Sequence, residues 1–188
     1  MESWIERGVN TLRQGGTILY PTDTIWGLGC DAANARAVTQ LYTLKQRSEA
    51  KSMLVLVSST AMLCRYVAPV PPLALQLIES ASKPLTIIYP RASGLASNLL
   101  AEDGSVGIRI VHHALCHQLI EGLGGALVST SANVSGQAYG GSFGAIPQSL
   151  KQGVDLTFPV AFDTSTATSG SRIVKLSADG SGYTILRD

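Results

Sequence analysis

Apolar positions along the chain switch between a helical period and a strand period, and the switches outline the fold. Trp4, Ile5, Val9 and Leu12 predict a helix over residues 3–14, with Ser3 as N-cap and Gly15-Gly16 as its stop. Residues 17–20 have strand character and end at Pro21, which has no N–H to give a sheet. Polar Thr22, Asp23 and Thr24 follow at the carboxyl end, where open α/β sheets hold ligands. Gly27 and Gly29 are expected to let the backbone turn tightly back over these side chains. Ala37, Val38, Leu41 and Leu44 predict a helix over 34–46, capped by Asn34. The run 53–57 reads as a buried strand and 59–66 as a short helix. After Pro69, Pro71 and Pro72 come a helix over 73–81 and a strand over 84–89. Residues 91–104 show no clean period and read as loop or weak helix. A strand over 105–111, a helix over 114–123 ended by Gly124-Gly125, and a strand over 126–130 follow. The last of these runs into Ser131-Ala132-Asn133, so polar groups again crowd a strand end. Residues 134–144 are glycine-rich, 147–152 form a short helix, and 156–162, 173–176 and 183–186 are candidate strands. The alternation predicts an α/β protein with no internal repeat and no linker, hence one domain over 1–188.

Composition narrows the class. A chain of 188 residues can bury about 70% of its unfolded surface. Charged residues are 14% and the formal net charge is +1, so no overall basic field holds nucleic acid and any anion site must be local. Cys30, Cys64 and Cys116 form no C-x-x-C pair, which points to a reducing compartment and three buried thiols. The amino-terminal residues lack a signal-peptide pattern and no apolar run is long enough for a membrane span, so a cytoplasmic protein is expected.

Three constellations carry candidate chemistry. The stretch K-Q-R-S-E-A-K sets Lys45, Arg47 and Lys51 close together with Glu49 as the one acidic neighbour. Such mutual repulsion is relieved if a polyanion such as a triphosphate sits among them; a solvated helix end is the alternative. In S-T-S-A-N, Ser129 to Asn133, hydroxyls, an amide and turn N–H groups can bind phosphate or carboxylate oxygens, or simply make a turn. Arg109 shares one face of its strand with Gly107, opposite Val106, Ile108 and Ile110, and its fork suits a carboxylate unless it lies on a wet edge. Two patterns lead nowhere. Gly27-x-Gly29-x-x-Ala32 is separated from its strand by a polar loop, unlike a dinucleotide fingerprint, and His113 and His117 lack further ligands and read as surface-helix positions.

Taken together, Y-P-T-D-T-I-W-G-L-G-C-D-A, K-Q-R-S-E-A-K-S-M, K-P-L-T, S-V-G-I-R and S-T-S-A-N-V-S-G resemble the YrdC-type family of threonylcarbamoyl-AMP synthases, in order and spacing, from about Thr17 to Gly136. The resemblance implies a twisted mixed parallel and antiparallel sheet flanked by helices, with a deep concave cleft, in the short form without an additional carboxyl-terminal domain. It implies that L-threonine, hydrogencarbonate and ATP give L-threonylcarbamoyladenylate and pyrophosphate, for N6-threonylcarbamoyl modification of tRNA adenosine by a downstream tRNA threonylcarbamoyl-transfer complex. Carried over by position, Thr22, Arg109, Ser131 and Ser171 form the L-threonine side, with Arg109 on the carboxylate. Lys45, Arg47, Ser105, Ser129, Asn133 and Arg187 form the ATP side, and Lys51 joins Lys45 and Arg47 in the catalytic cationic lining. Mg²⁺ is expected with ATP, without a dedicated protein metal site. The chain departs from the family pattern at Ser48, where proline is usual, and at Ser171-Arg172-Ile173, where S-T-[IV] is usual.

Two other readings compete. One is a non-catalytic double-stranded RNA-binding or ribosome and RNA maturation factor, with a weak direct tRNA or double-stranded RNA contact; it predicts a basic face that the net charge does not supply. The other forms a carbamoyl adenylate from carbamoyl phosphate, as a related domain of larger proteins does. In the synthase reading, replacing Lys45 or Arg47 by Ala is expected to leave the fold intact and suppress adenylate formation.

Overall fold

The computed structural model describes residues 3–48, 52–137, 139, 141–167 and 169–188. Helix α1, Trp4–Arg13, starts in a capping box: the Ser3 hydroxyl accepts from the Glu6 N–H at 3.2 Å and the Glu6 carboxylate accepts from the Ser3 N–H at 2.6 Å. Strand β1, Ile18–Tyr20, follows and pairs antiparallel with β2, Gly27–Gly29, a strand the sequence reading did not contain. Gly27 and Gly29 therefore serve a different purpose from the expected turn: neither has positive φ. A Cβ on Gly29 would lie 2.6 Å from the Val128 carbonyl oxygen and 2.7 Å from the Tyr20 ring, so the absent side chain is what lets neighbouring strands close up.

Helix α2, Ala35–Leu44, is capped by the Asn34 side chain as expected, and β3, Leu54–Val57, and α3, Thr60–Tyr66, succeed it. Then come α4, Pro72–Ser80; β4, Leu85–Tyr89; a 3₁₀ turn at Ser97–Leu99; β5, Val106–Ile110; α5, Ala114–Leu123; and β6, Leu127–Ser131. Helix α5 ends at Gly124 with φ 76°, a left-handed position that suits glycine. The chain closes with α6, Gln148–Gly153; β7, Leu156–Thr157; β8, Arg172–Leu176; and β9, Tyr183–Arg187. The expected strand over 156–162 is thus cut short: Pro159 cannot extend a ladder, and Val160–Phe162 forms a 3₁₀ turn instead.

The strands form one mixed sheet in the order β7-β1-β2-β6-β3-β5-β4-β8-β9. Pairs β1–β7, β3–β5 and β4–β8 are parallel and the others antiparallel. The α/β expectation and the mixed sheet both hold. Arg109 sits on a central strand between β3 and β4 and is 3% exposed, which removes the wet-edge reading. Two burial expectations are corrected. Cys30 and Cys116 are buried, but Cys64 faces outward from α3 while Met62, Leu63 and Tyr66 turn inward. His113 is no surface residue: it occupies the N-cap position of α5, is buried, and its Nε2 lies 3.1 Å from the Thr164 hydroxyl. Among the described residues, no helix is long and apolar enough to cross a membrane.

Candidate active site

One face of the sheet forms the floor of a cleft of about 500 Å³. Because side chains alternate along a strand, every second residue of six neighbouring strands contributes: Ser129 and Ser131 of β6, Leu54 of β3, Gly107 and Arg109 of β5, Thr86 and Ile88 of β4, Ile173 of β8 and Arg187 of β9. The loop Thr24–Trp26, Arg47 with Ser52 and Met53, Tyr139, and Ser169–Ser171 make the walls. No Asp or Glu is among the described lining residues, whereas three guanidinium groups are.

The cations reach this place by different routes. Helix α2 ends with Lys45 as C-cap and Gln46 at φ 50°, and the Arg47 N–H then bonds back to the Tyr42 carbonyl at 2.9 Å. This Schellman-type reversal sends alternate side chains of K-Q-R to different places. Lys45 turns inward, is 1% exposed, and donates from Nζ to the Ser131 carbonyl, the Asn133 carbonyl at 2.7 Å and Asn133 Oδ1 at 3.4 Å. Arg47 turns to the cleft wall and donates to the Ser52 carbonyl at 2.9 Å. Burial, and secondarily the charge of Arg47, lower the Lys45 ammonium to about 7. Burial also lowers Arg47. At the other end, Arg187 grips the Ser171 carbonyl with Nε at 2.8 Å and Nη2 at 2.7 Å; burial and then the Arg109 charge lower it.

Arg109 pairs with Asp23 at 3.1 Å, and Asp23 is held in turn by the His112 N–H at 3.1 Å. Its Nη2 also lies 3.4 Å from the Thr24 hydroxyl, while its buried Nε has no hydrogen-bond acceptor among the described residues. A buried donor left without an acceptor is costly, and an incoming carboxylate or phosphate oxygen would satisfy it.

The cleft gathers seven of the residues singled out from sequence: Arg47, Arg109, Ser129, Ser131, Asn133, Ser171 and Arg187. It does not gather Lys45, Thr22 or Ser105. Lys45 lies behind the strand end it clamps. Thr22 is buried in its own turn, its hydroxyl donating to the Ile25 carbonyl at 2.8 Å and accepting from the Thr24 N–H at 3.1 Å, so that Thr24 takes the wall. Ser105 bonds Asp103 at 2.5 Å, an exposed carboxylate held well below its usual range first by Lys175 and then by Ser105. Lys51 lies outside the described residues. Thr24, one of the polar residues expected to hold a ligand at the end of the first strand, does line the cleft, whereas Thr86 and Tyr139 line it without having been singled out; for Thr86 the signal was present, since the period of the K-P-L-T strand sets it beside Ile88.

Fold and site together define an α/β protein whose mixed sheet carries an anion-suited, hydroxyl-rich cleft on one face. Residues 10–188 match the Sua5/YciO/YrdC family, described as telomere recombination, and the chain belongs to this family. It is 34% identical over 149 residues to the threonylcarbamoyl-AMP synthase of Halorhodospira halophila (strain DSM 244 / SL1), covering 79% of this chain and 78% of that one. Among solved structures, it is similar to P. abyssi Sua5 complexed with L-threonine, with TM-score 0.83, 23% identity, and coverage of 100% of this chain and 54% of that one. The chain thus spans little more than half the length of that protein. E. coli YciO is similar over 98% of this chain and 88% of its own, with TM-score 0.79 and 22% identity. These two likenesses bear on the fold.

Proposed function

We propose that the chain is a threonylcarbamoyl-AMP synthase, joining L-threonine, hydrogencarbonate and ATP into L-threonylcarbamoyladenylate with release of pyrophosphate. The observation that carries this reading is the convergence of Arg47, Arg109 and Arg187 with Ser129, Ser131 and Asn133 on one cleft whose described lining residues include no carboxylate. Such a surface suits a triphosphate beside a small zwitterion. The relatives named threonylcarbamoyl-AMP synthase support it.

The chemistry asks mainly for positioning. The threonine amine adds to CO₂ derived from hydrogencarbonate and loses a proton, giving a carbamate. A carbamate oxygen then attacks the α-phosphorus of ATP, the bond from that phosphorus to the bridging oxygen breaks, and pyrophosphate departs with its electron pair. The nucleophile is already anionic, so guanidinium groups that neutralise phosphate charge contribute more than a strong base would. Arg109 takes the amino-acid carboxylate through Nε and Nη2, and Arg47 faces the phosphates. Ser129 gives an uncharged hydroxyl at the strand end that Lys45 holds in shape, beside a Ser131 hydroxyl that donates to Asn133 Oδ1 and an Asn133 amide that donates to the Val134 and Gln137 carbonyls. Mg²⁺ comes with the phosphates as part of the ATP substrate; among the described residues no group of three or more His, Cys, Asp or Glu side chains is placed to hold a metal. The setting is the cytoplasm, and the product feeds a tRNA threonylcarbamoyl-transfer complex. The near-neutral net charge favours this reading over binding along an RNA backbone.

Incubation with ATP, Mg²⁺ and hydrogencarbonate, with threonine, serine or carbamoyl phosphate as co-substrate, followed by mass identification of the adenylate, tests the proposal. A threonylcarbamoyl adenylate is expected; a carbamoyl adenylate, or none, would overturn it. Arg47→Ala is expected to lower turnover about 10²- to 10³-fold, the loss usual for one preorganised donor.

A further inference from the structure

Thr86 has no part in the constellations found from sequence, yet it lies on the cleft floor directly across the β4–β5 ladder from Arg109. Side chains opposed in this way have Cβ atoms about 4.5 to 5.5 Å apart and share a face. The Thr86 hydroxyl is 2.7 Å from that of Ser171, and each residue is 2% exposed. The Arg187 grip on the Ser171 backbone fixes this pair in place.

Counting protons shows what the pair lacks. Two hydroxyls carry two protons, and their mutual bond uses one, whichever oxygen donates. The pair's one further hydrogen bond among the described residues is from Arg187 Nη2 at 3.5 Å from Ser171 Oγ, which is itself a donor and takes no proton. Among the described residues the second proton therefore has no acceptor, and the pair's oxygens keep open lone pairs beside it. A ligand group that both accepts and donates completes the set. A carboxylate would bring no proton and an ammonium would accept none, whereas a hydroxyl closes a ring of three O–H···O bonds.

We propose that Thr86, with Ser171, reads the side-chain hydroxyl of a 2-amino-3-hydroxy acid whose carboxylate lies on Arg109. Thr86 is then the residue that sets specificity for a hydroxylated amino acid over its deoxy analogue. The inference rests on the proposed function for the identity of the substrate, and deepens it. Sites built to bond a hydroxyl discriminate strongly against ligands lacking it, because their own polar groups are left unpaired.

The experiment compares kcat/KM for L-threonine and L-2-aminobutyrate, which has the same carbon skeleton without the hydroxyl, at saturating ATP and hydrogencarbonate. Thr86→Val keeps the shape and removes the hydroxyl. It is expected to narrow the preference for threonine at least ~10-fold, while KM for ATP stays put and Thr86→Ser retains most of the preference. A preference unchanged in Thr86→Val overturns the inference. Should that variant fail to fold, as judged by circular dichroism, Ser171→Ala is expected to narrow the ratio in the same way, and an unchanged ratio there is equally decisive. If wild type makes no adenylate from either acid, the proposed function fails. Calorimetry then still decides the inference: equal affinity of the wild-type protein for the two acids refutes it, and tighter threonine binding that Thr86→Val abolishes upholds it.

Discussion

Lys45 donates to three oxygens around the end of β6, and this changes what its replacement should do. Lys45→Ala would leave the carbonyls of Ser131 and Asn133 without their donor, so a loss of stability is expected together with the loss of activity. Arg47→Ala, on the half-open wall, should keep the fold. The lowered Lys45 ammonium also gives a pH signature. Between about 7 and the ordinary 10.5, the unfolded chain holds a proton that the folded chain has released. Stability from this residue therefore rises with pH across that window and is lowest below it. Urea denaturation at about pH 6.5 and about pH 9 is expected to show a smaller gain with pH in Lys45→Met than in wild type. At this scale the kinds of residues that make the site were legible, because cations and hydroxyls at strand ends are conspicuous. Where each side chain points was not. Lys45 turns away from the cleft to meet residues more than eighty positions later, and Thr22 yields the wall to Thr24 through a turn only two residues long.

Helices were legible nearly to the residue, since caps such as Ser3 and Asn34 and the stop at Gly124 act within one turn of chain. Short strands were not. Gly27–Gly29 has no β-branched residue and owes its extended form to β1 and β6 on either side. Gly29→Ala should therefore cost about 1 to 3 kcal/mol in a denaturation experiment, as a methyl group forced against the Val128 carbonyl and the Tyr20 ring. The turn after α2 offers a second test. Gln46 is the non-glycine residue with positive φ among the described residues, and it is what parts Lys45 from Arg47. Gln46→Val is expected to lower stability by about 1 to 2 kcal/mol and to reduce adenylate formation, whereas Gln46→Gly should be tolerated in both measurements.

Across the whole molecule, the sheet joins segments that are distant along the chain: Ile18 lies beside Leu156, and Gly27 beside Ser131. The order of the strands was not legible from local pattern, because period and propensity say which residues extend but not which strand becomes whose neighbour. Pairings of such long range slow folding, and refolding in milliseconds to seconds, rather than microseconds, is expected in stopped-flow fluorescence. The floor of the cleft crosses the sheet from β6 to β9, and β9 brings Arg187, which clasps the Ser171 carbonyl. During translation, that strand leaves the ribosome after every other strand of the sheet. A nascent chain halted before Tyr183 would thus carry most of its hydrophobic core yet lack Arg187 and its hold on Ser171, so that the cleft floor is complete only once β9 has been made.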